Sequence, residues 1–103
     1  MKKLLFTFLA VMCCMVMNAQ TTFEVEDIKY SVTSENTVEV VANYGNYRGS
    51  VVIPATVTNP DGGKTYNVTG IGDNAFSYCT NLASVTIPKS VNSIGTEAFY
   101  FCM

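Results

Sequence analysis

The sequence predicts a mainly β fold: the start of a solenoid made of short strands and single-turn helices, preceded by a hairpin-rich N-terminal segment. Three observations predict it. A nine-residue phrase is written twice, as "IGDNAFSYC" at 71–79 and "IGTEAFYFC" at 94–102, a spacing of 23 residues. The stretch before it alternates apolar and polar residues in short runs separated by turn residues, the pattern of half-buried strands. No stretch after residue 20 shows an amphipathic helical period of useful length.

The first element is a leader. "MKKLLFTFLAVMCCMVMNAQ" begins with Lys2 and Lys3, continues with an apolar run from Leu4 to Met17 broken only by Thr7, and ends in Asn18-Ala19-Gln20. That is the three-part layout of a secretory signal peptide, assigned to residues 1–19 with cleavage after Ala19 or Gln20. The run of 14 residues is shorter than the roughly 20 that a helix needs to cross a bilayer. No stable membrane span is therefore expected once the leader is removed. The remainder keeps Lys29, Arg48, Lys64 and Lys89 against eight acids, a formal charge of −4. An acidic chain without a basic cluster argues against nucleic acid and anionic membranes as partners.

Residues 20–50 read as a β-rich capping segment. "FEVEDIKYSVT" sets Ile28, Tyr30 and Val32 against Lys29, Ser31 and Thr33, a half-buried strand. "NTVEVVA" does the same with Val38 and Val40, and Ser34–Asn36 between them predicts a hairpin. "NYGNYRGS" is a further turn, followed by the short strand "VVIP". "TNPDGGK" joins "ATV" to "TYNV" as a second hairpin, because Asp-Gly and Gly-Gly tolerate positive φ.

Residues 51–103 divide as a modified unit (51–70), a full repeat (71–93) and a partial repeat (94–103). Five of ten positions are identical when Ile71 is aligned with Ile94, and Tyr78 aligns with Phe101. Periods of 20–29 residues belong to leucine-rich-repeat solenoids. Ile53-Pro54 and Ile87-Pro88 mark the same half-repeat, the earlier one lengthened by the "NPDGGKTY" hairpin. "NLASVTIPKSVNSIGTEAFYFC" resembles the BspA-type leucine-rich repeat of bacterial surface proteins. The match lies at Leu82, Val85, Ile87, Pro88, Val91, Ile94, Gly95, Ala98, Phe99 and Cys102, and before that at Ile71, Gly72, Ala75, Phe76 and Cys79.

Each residue type suits a rung. Val85 and Ile87 alternate with Ser84 and Thr86, so one strand face is core. Pro88 stops the strand. Gly72 and Gly95 free the backbone where a Cβ would crowd a bend. Asp73, and Thr96 in the next unit, are placed as N-caps for a single helical turn carrying Ala-Phe. The Phe fills the centre.

Candidate chemistry is sparse. The chain has no His and no Trp, which removes nucleophilic triads and most zinc sites; no catalytic, cofactor or metal residue is assigned. Cys79 and Cys102 recur with the repeat and read as small inward apolar positions. A disulfide between rungs is the competing reading, since equivalent positions lie about 5 Å apart. Glu24, Glu26 and Asp27 could bind calcium or simply form a solvated strand face; no loop of ligand spacing surrounds them. Tyr44 and Tyr47 could stack on sugar or a protein, or pack within a hairpin. "GDNAF" and "GNYRG" lack the lysine and helix of a phosphate loop.

The resemblance implies an exported bacterial protein, extracellular or on the cell surface. It would be non-catalytic and adhesin-like, with host or bacterial surface proteins as partners. The alternatives are a spacer or accessory module of a larger secreted enzyme, or a truncated fragment without an independent role. The third unit lacks its own strand, so the stack is expected to have an open end able to self-associate.

Overall fold

The computed structural model describes residues 22–43 and 45–102. The leader and Tyr44 lie outside the described residues. Eight strands are seen among those described, and no helix. They are β1 (Thr22–Val25), β2 (Ile28–Val32), β3 (Thr37–Val40), β4 (Gly49–Val52), β5 (Thr56–Thr58), β6 (Thr65–Ile71), β7 (Leu82–Thr86) and β8 (Ser93–Ile94).

The run "FEVEDIKYSVT" is two strands rather than one. Glu26 and Asp27 adopt φ of 49° and 71° and form a two-residue turn, with Val25 opposite Ile28. Two consecutive left-handed residues match the twist of a tight hairpin. Glu-Asp is a poor sequence signal for that turn, which is why the run looked continuous. β2 then pairs antiparallel with β3, as the Ser34–Asn36 turn predicted. The hydroxyls of Ser34 and Thr33 lie 2.6 and 2.7 Å from that of Thr37 and lock this turn. β5 and β6 form the second predicted hairpin, turning through Gly62 and Gly63 at φ 97° and 78°.

From β3 onward the chain winds as a solenoid. β3, β6 and β8 pair in parallel, placing Val40 beside Ile71 and Ile71 beside Ile94. On the second wall β4 pairs in parallel with β7, Val51 beside Val85. The first rung is therefore β3 with β4, within and just past the capping segment. The second is β6 with β7, and the third begins at β8. Tyr47 holds the place in the first rung that Phe76 and Phe99 hold in the next two. The Tyr47 and Phe76 rings are 4.8 Å apart, and Phe76 stacks on Phe99 at 5.3 Å with planes 4° from parallel. Ile53, Val38, Val40, Val68, Ile71, Ala75 and Cys79 complete a buried centre around them. Leu82 and Val85 are half-buried and Ile87 is more exposed, since among the described residues β7 has a paired strand on one side only.

The corners correct one expectation. No helical turn follows Gly72. The N–H groups of Ala75, Ser77 and Cys79 bond back three residues, to Gly72, Asn74 and Phe76. Those of Asn74, Phe76 and Tyr78 cross instead to the carbonyls of Thr96, Ala98 and Tyr100 on the next rung. A helix would spend every N–H along its own axis. A corner that must hold a neighbouring rung sends alternate donors outward. Left-handed residues at Asn74, Tyr78, Glu97 and Phe101 make that alternation possible. Asp73 is accordingly not an N-cap of its own turn. Its Oδ1 accepts the N–H of Thr96, 23 residues on, at 2.7 Å.

Gly72 and Gly95 are also clarified. Neither has a positive φ. What they supply is closeness: the Gly72 N–H reaches Val40 O and the Gly95 N–H reaches Ile71 O, both at 2.7 Å.

Candidate interaction surfaces

Three of the residues that the sequence marked for chemistry, Tyr47, Cys79 and Cys102, pack inside the fold. Tyr47 is buried; its hydroxyl donates to Val41 O at 2.7 Å and accepts the N–H of Lys29 at 3.0 Å. It ties the hairpin to the first rung and presents no ring for stacking a ligand. Tyr47→Phe removes both hydrogen bonds from this half-buried junction, and is expected to cost about 1–3 kcal/mol in denaturant unfolding.

Burial pushes the phenols of both Tyr30 and Tyr47 up to about 12. Unfolded tyrosine ionises near 10. Below pH 10 both states carry neutral phenols and stability is at its full value. Between pH 10 and 12 the unfolded chain releases protons that the folded chain retains, so stability falls. Unfolding midpoints measured across that range should drop, and the drop should be smaller in Tyr47→Phe.

Cys79 and Cys102 remain free thiols. Cys79 is buried, and the Cys102 thiol points at the Cys79 carbonyl, Sγ to O 3.9 Å. Burial pushes both thiols up, away from the reactive thiolate. The inward apolar reading describes them, and the disulfide is not formed. Glu24, Glu26 and Asp27 sit exposed on the β1–β2 hairpin, with Glu26 and Asp27 forming its turn. Among the described residues no group of three or more acids, cysteines or histidines is gathered to hold a metal.

One surface was missed by sequence reasoning. Tyr78, Tyr100 and Phe101 cluster on the outside of two successive corners, 60%, 46% and 63% exposed. Tyr78 lies 5.8 Å from Tyr100 and 5.4 Å from Phe101, and Tyr100 lies 4.7 Å from Phe101. Beside them runs a shallow groove lined by Asn74, Ser77 and Glu97. Tyr78 and Phe101 occupy equivalent repeat positions, both with left-handed backbone, φ 61° and 54°. Bulky residues rarely adopt that conformation, which glycine or asparagine would take with less strain. An aromatic at this strained, solvent-facing position in both repeats is a placement that packing does not require. The signal was present in the sequence as aromatic residues next to each repeat cysteine.

Comparison with known proteins agrees with this architecture. Residues 64–103 match the family described as BspA type leucine rich repeat region (6 copies). The crystal structure of a leucine-rich repeat protein from Bacteroides capillosus ATCC 29799 superposes with a TM-score of 0.65 at 30% identity, covering 81% of this chain and 60% of that one. A leucine rich cell surface protein from Faecalibacterium prausnitzii A2-165 gives a TM-score of 0.52 at 28% identity, covering 80% of this chain and 28% of that one. The chain thus spans less than two thirds of the length of either. No curated protein matches it.

Proposed function

We propose, from the premise that residues 64–103 are a BspA-type leucine-rich repeat region, that this chain is a non-catalytic binding module. It acts outside the bacterial cell or on its surface. The leader-like residues 1–19 support export, and one structural neighbour is described as a cell surface protein. The observation that carries the reading is the aromatic cluster of Tyr78, Tyr100 and Phe101. Exposed aromatic groups offer large contact area at small entropic cost, and such residues dominate binding energy at interfaces. Host or bacterial surface proteins are the partner class.

The test uses the fluorescently labelled chain on intact epithelial cells and on intact bacteria. Saturable binding to one of them is expected, reduced by about tenfold or more in Tyr78→Gly/Phe101→Gly. The substitutions relax the left-handed backbone, so stability should stay within about 1 kcal/mol of the parent. Binding unchanged in this variant overturns the assignment of the surface. Absence of binding to both cell types favours the spacer role instead.

A further inference from the structure

Among the described residues β4 is paired on one side only. Its partner is β7, while the β1–β2 hairpin continues the other sheet, beyond β3. The uncovered edge borders an open cleft of about 750 Å³, where Ser50 and Val52 of β4 meet Glu24, Glu26 and Asp27 of the hairpin. Arg48 is the one cation lining it, so the described walls carry an excess of two negative charges.

Three carboxylates on a turn would by themselves be a solvated face. Tyr30 sets this one apart. It is 1% exposed and lines the same cleft; Ser90 Oγ is the one sealed side-chain polar atom without a partner among the described residues, so the Tyr30 hydroxyl, which bonds no other described group, opens onto the cleft. A hydroxyl at the wall of a cleft can accept a hydrogen bond from a group bound there. Tyr47, which also lines the cleft, has both its bonds filled by backbone. Glu26 lines the cleft together with Tyr30.

We propose that this cleft binds an extended basic peptide segment of a partner protein. The segment adds as a strand to the free edge of β4. It seats a lysine or arginine side chain between the carboxylates of Glu24, Glu26 and Asp27 and the Tyr30 hydroxyl. An unpaired strand edge offers alternating main-chain donors and acceptors that only another extended backbone can satisfy in series. A cationic side chain brings donors and no acceptors, the complement of carboxylates and a phenol oxygen. Val52, 64% exposed on the same edge, gives an apolar contact to an alternate side chain of the incoming strand.

The test measures anisotropy of labelled peptides with the full chain. The first probe alternates lysine and valine, the second replaces lysine by glutamate, and the third is the lysine peptide N-methylated at alternate amides. The lysine peptide should bind saturably. The glutamate peptide, and the lysine peptide on Glu24→Gln/Glu26→Gln, should each bind about tenfold more weakly or worse. N-methylation should weaken binding several-fold, and Tyr30→Phe should also weaken it. Equal binding of the lysine and glutamate peptides overturns the proposal, as does no detectable binding of the lysine peptide. Indifference to N-methylation overturns strand addition, leaving surface charge attraction alone. Because Tyr78 and Phe101 are absent from this cleft, Tyr78→Gly/Phe101→Gly should bind the lysine peptide as the parent does.

Discussion

Phe76→Ala is expected to lower the free energy of unfolding by about 3–5 kcal/mol, the loss of transfer energy plus the cavity left behind. Phe76 is fully buried and its ring lies between Tyr47 and Phe99. Its removal takes away both ring contacts as well as apolar area. Since domains of this size are stable by only about 5–15 kcal/mol, the variant should sit near the edge of folding. Phe99 occupies the same repeat position but is 37% exposed, because the described chain covers it on one face. Phe99→Ala should therefore cost clearly less, about 1–2 kcal/mol. Urea unfolding of the two variants checks the pair. Equal losses, or a loss under about 1 kcal/mol for Phe76→Ala, would show that the aromatic ladder is not the core of the stack.

The second large effect is expected at Gly95. A methyl group there would collide with Asp73 Oδ1 and lie 2.5 Å from Asp73 N and 2.8 Å from Gly72 C. Backbone cannot rotate aside as a side chain can, so the third rung must lift from the second. The move would strain the 2.7 Å bond from Gly95 N–H to Ile71 O and the 2.7 Å bond from Thr96 N–H to Asp73. Overpacking with loss of a charge-assisted hydrogen bond gives an expected cost of about 3 kcal/mol or more. Gly72→Ala is the internal comparison. Its added methyl would meet Val40 O at 3.1 Å and the Glu39 carboxyl at 3.3 Å, part of which is a side chain able to move. It should cost less than half as much. The reverse order would mean that the second and third rungs are not in contact as described.

Much of the repeat was legible because identical residues meet identical neighbours. Ile71 and Ile94, and Phe76 and Phe99, stack as the 23-residue spacing implied. The Ile53-Pro54 and Ile87-Pro88 match located two strands that do lie side by side. The first rung's opening half was not legible. It presents Val40 where later rungs have Ile, and Tyr47 where they have Phe, without the Gly, Ala and Cys that mark the motif. A rung bounded by a hairpin cap on one side needs less of that close approach, so its sequence can drift from the repeat. The corner conformation was hidden for another reason. Its left-handed residues are Asn, Tyr, Glu and Phe, and a tertiary ladder imposes on them a backbone that local preference does not announce. The aromatic cluster follows from that backbone and was hidden with it.

The corner hydrogen bonds give the stack a direction. Past its glycine entrance, where Gly95 N–H reaches back to Ile71 O, the second corner donates forward: the N–H groups of Asn74, Phe76 and Tyr78 all meet carbonyls of the later rung. The positions in the third rung that correspond to those donors are Glu97, Phe99 and Phe101, and no acceptor meets their N–H groups among the described residues. The later face of the third corner is thus a row of positive dipole ends, and its earlier face a row of negative ones. Two such later faces brought together would set donor against donor, so a mirror-like pairing of two copies is electrically mismatched there.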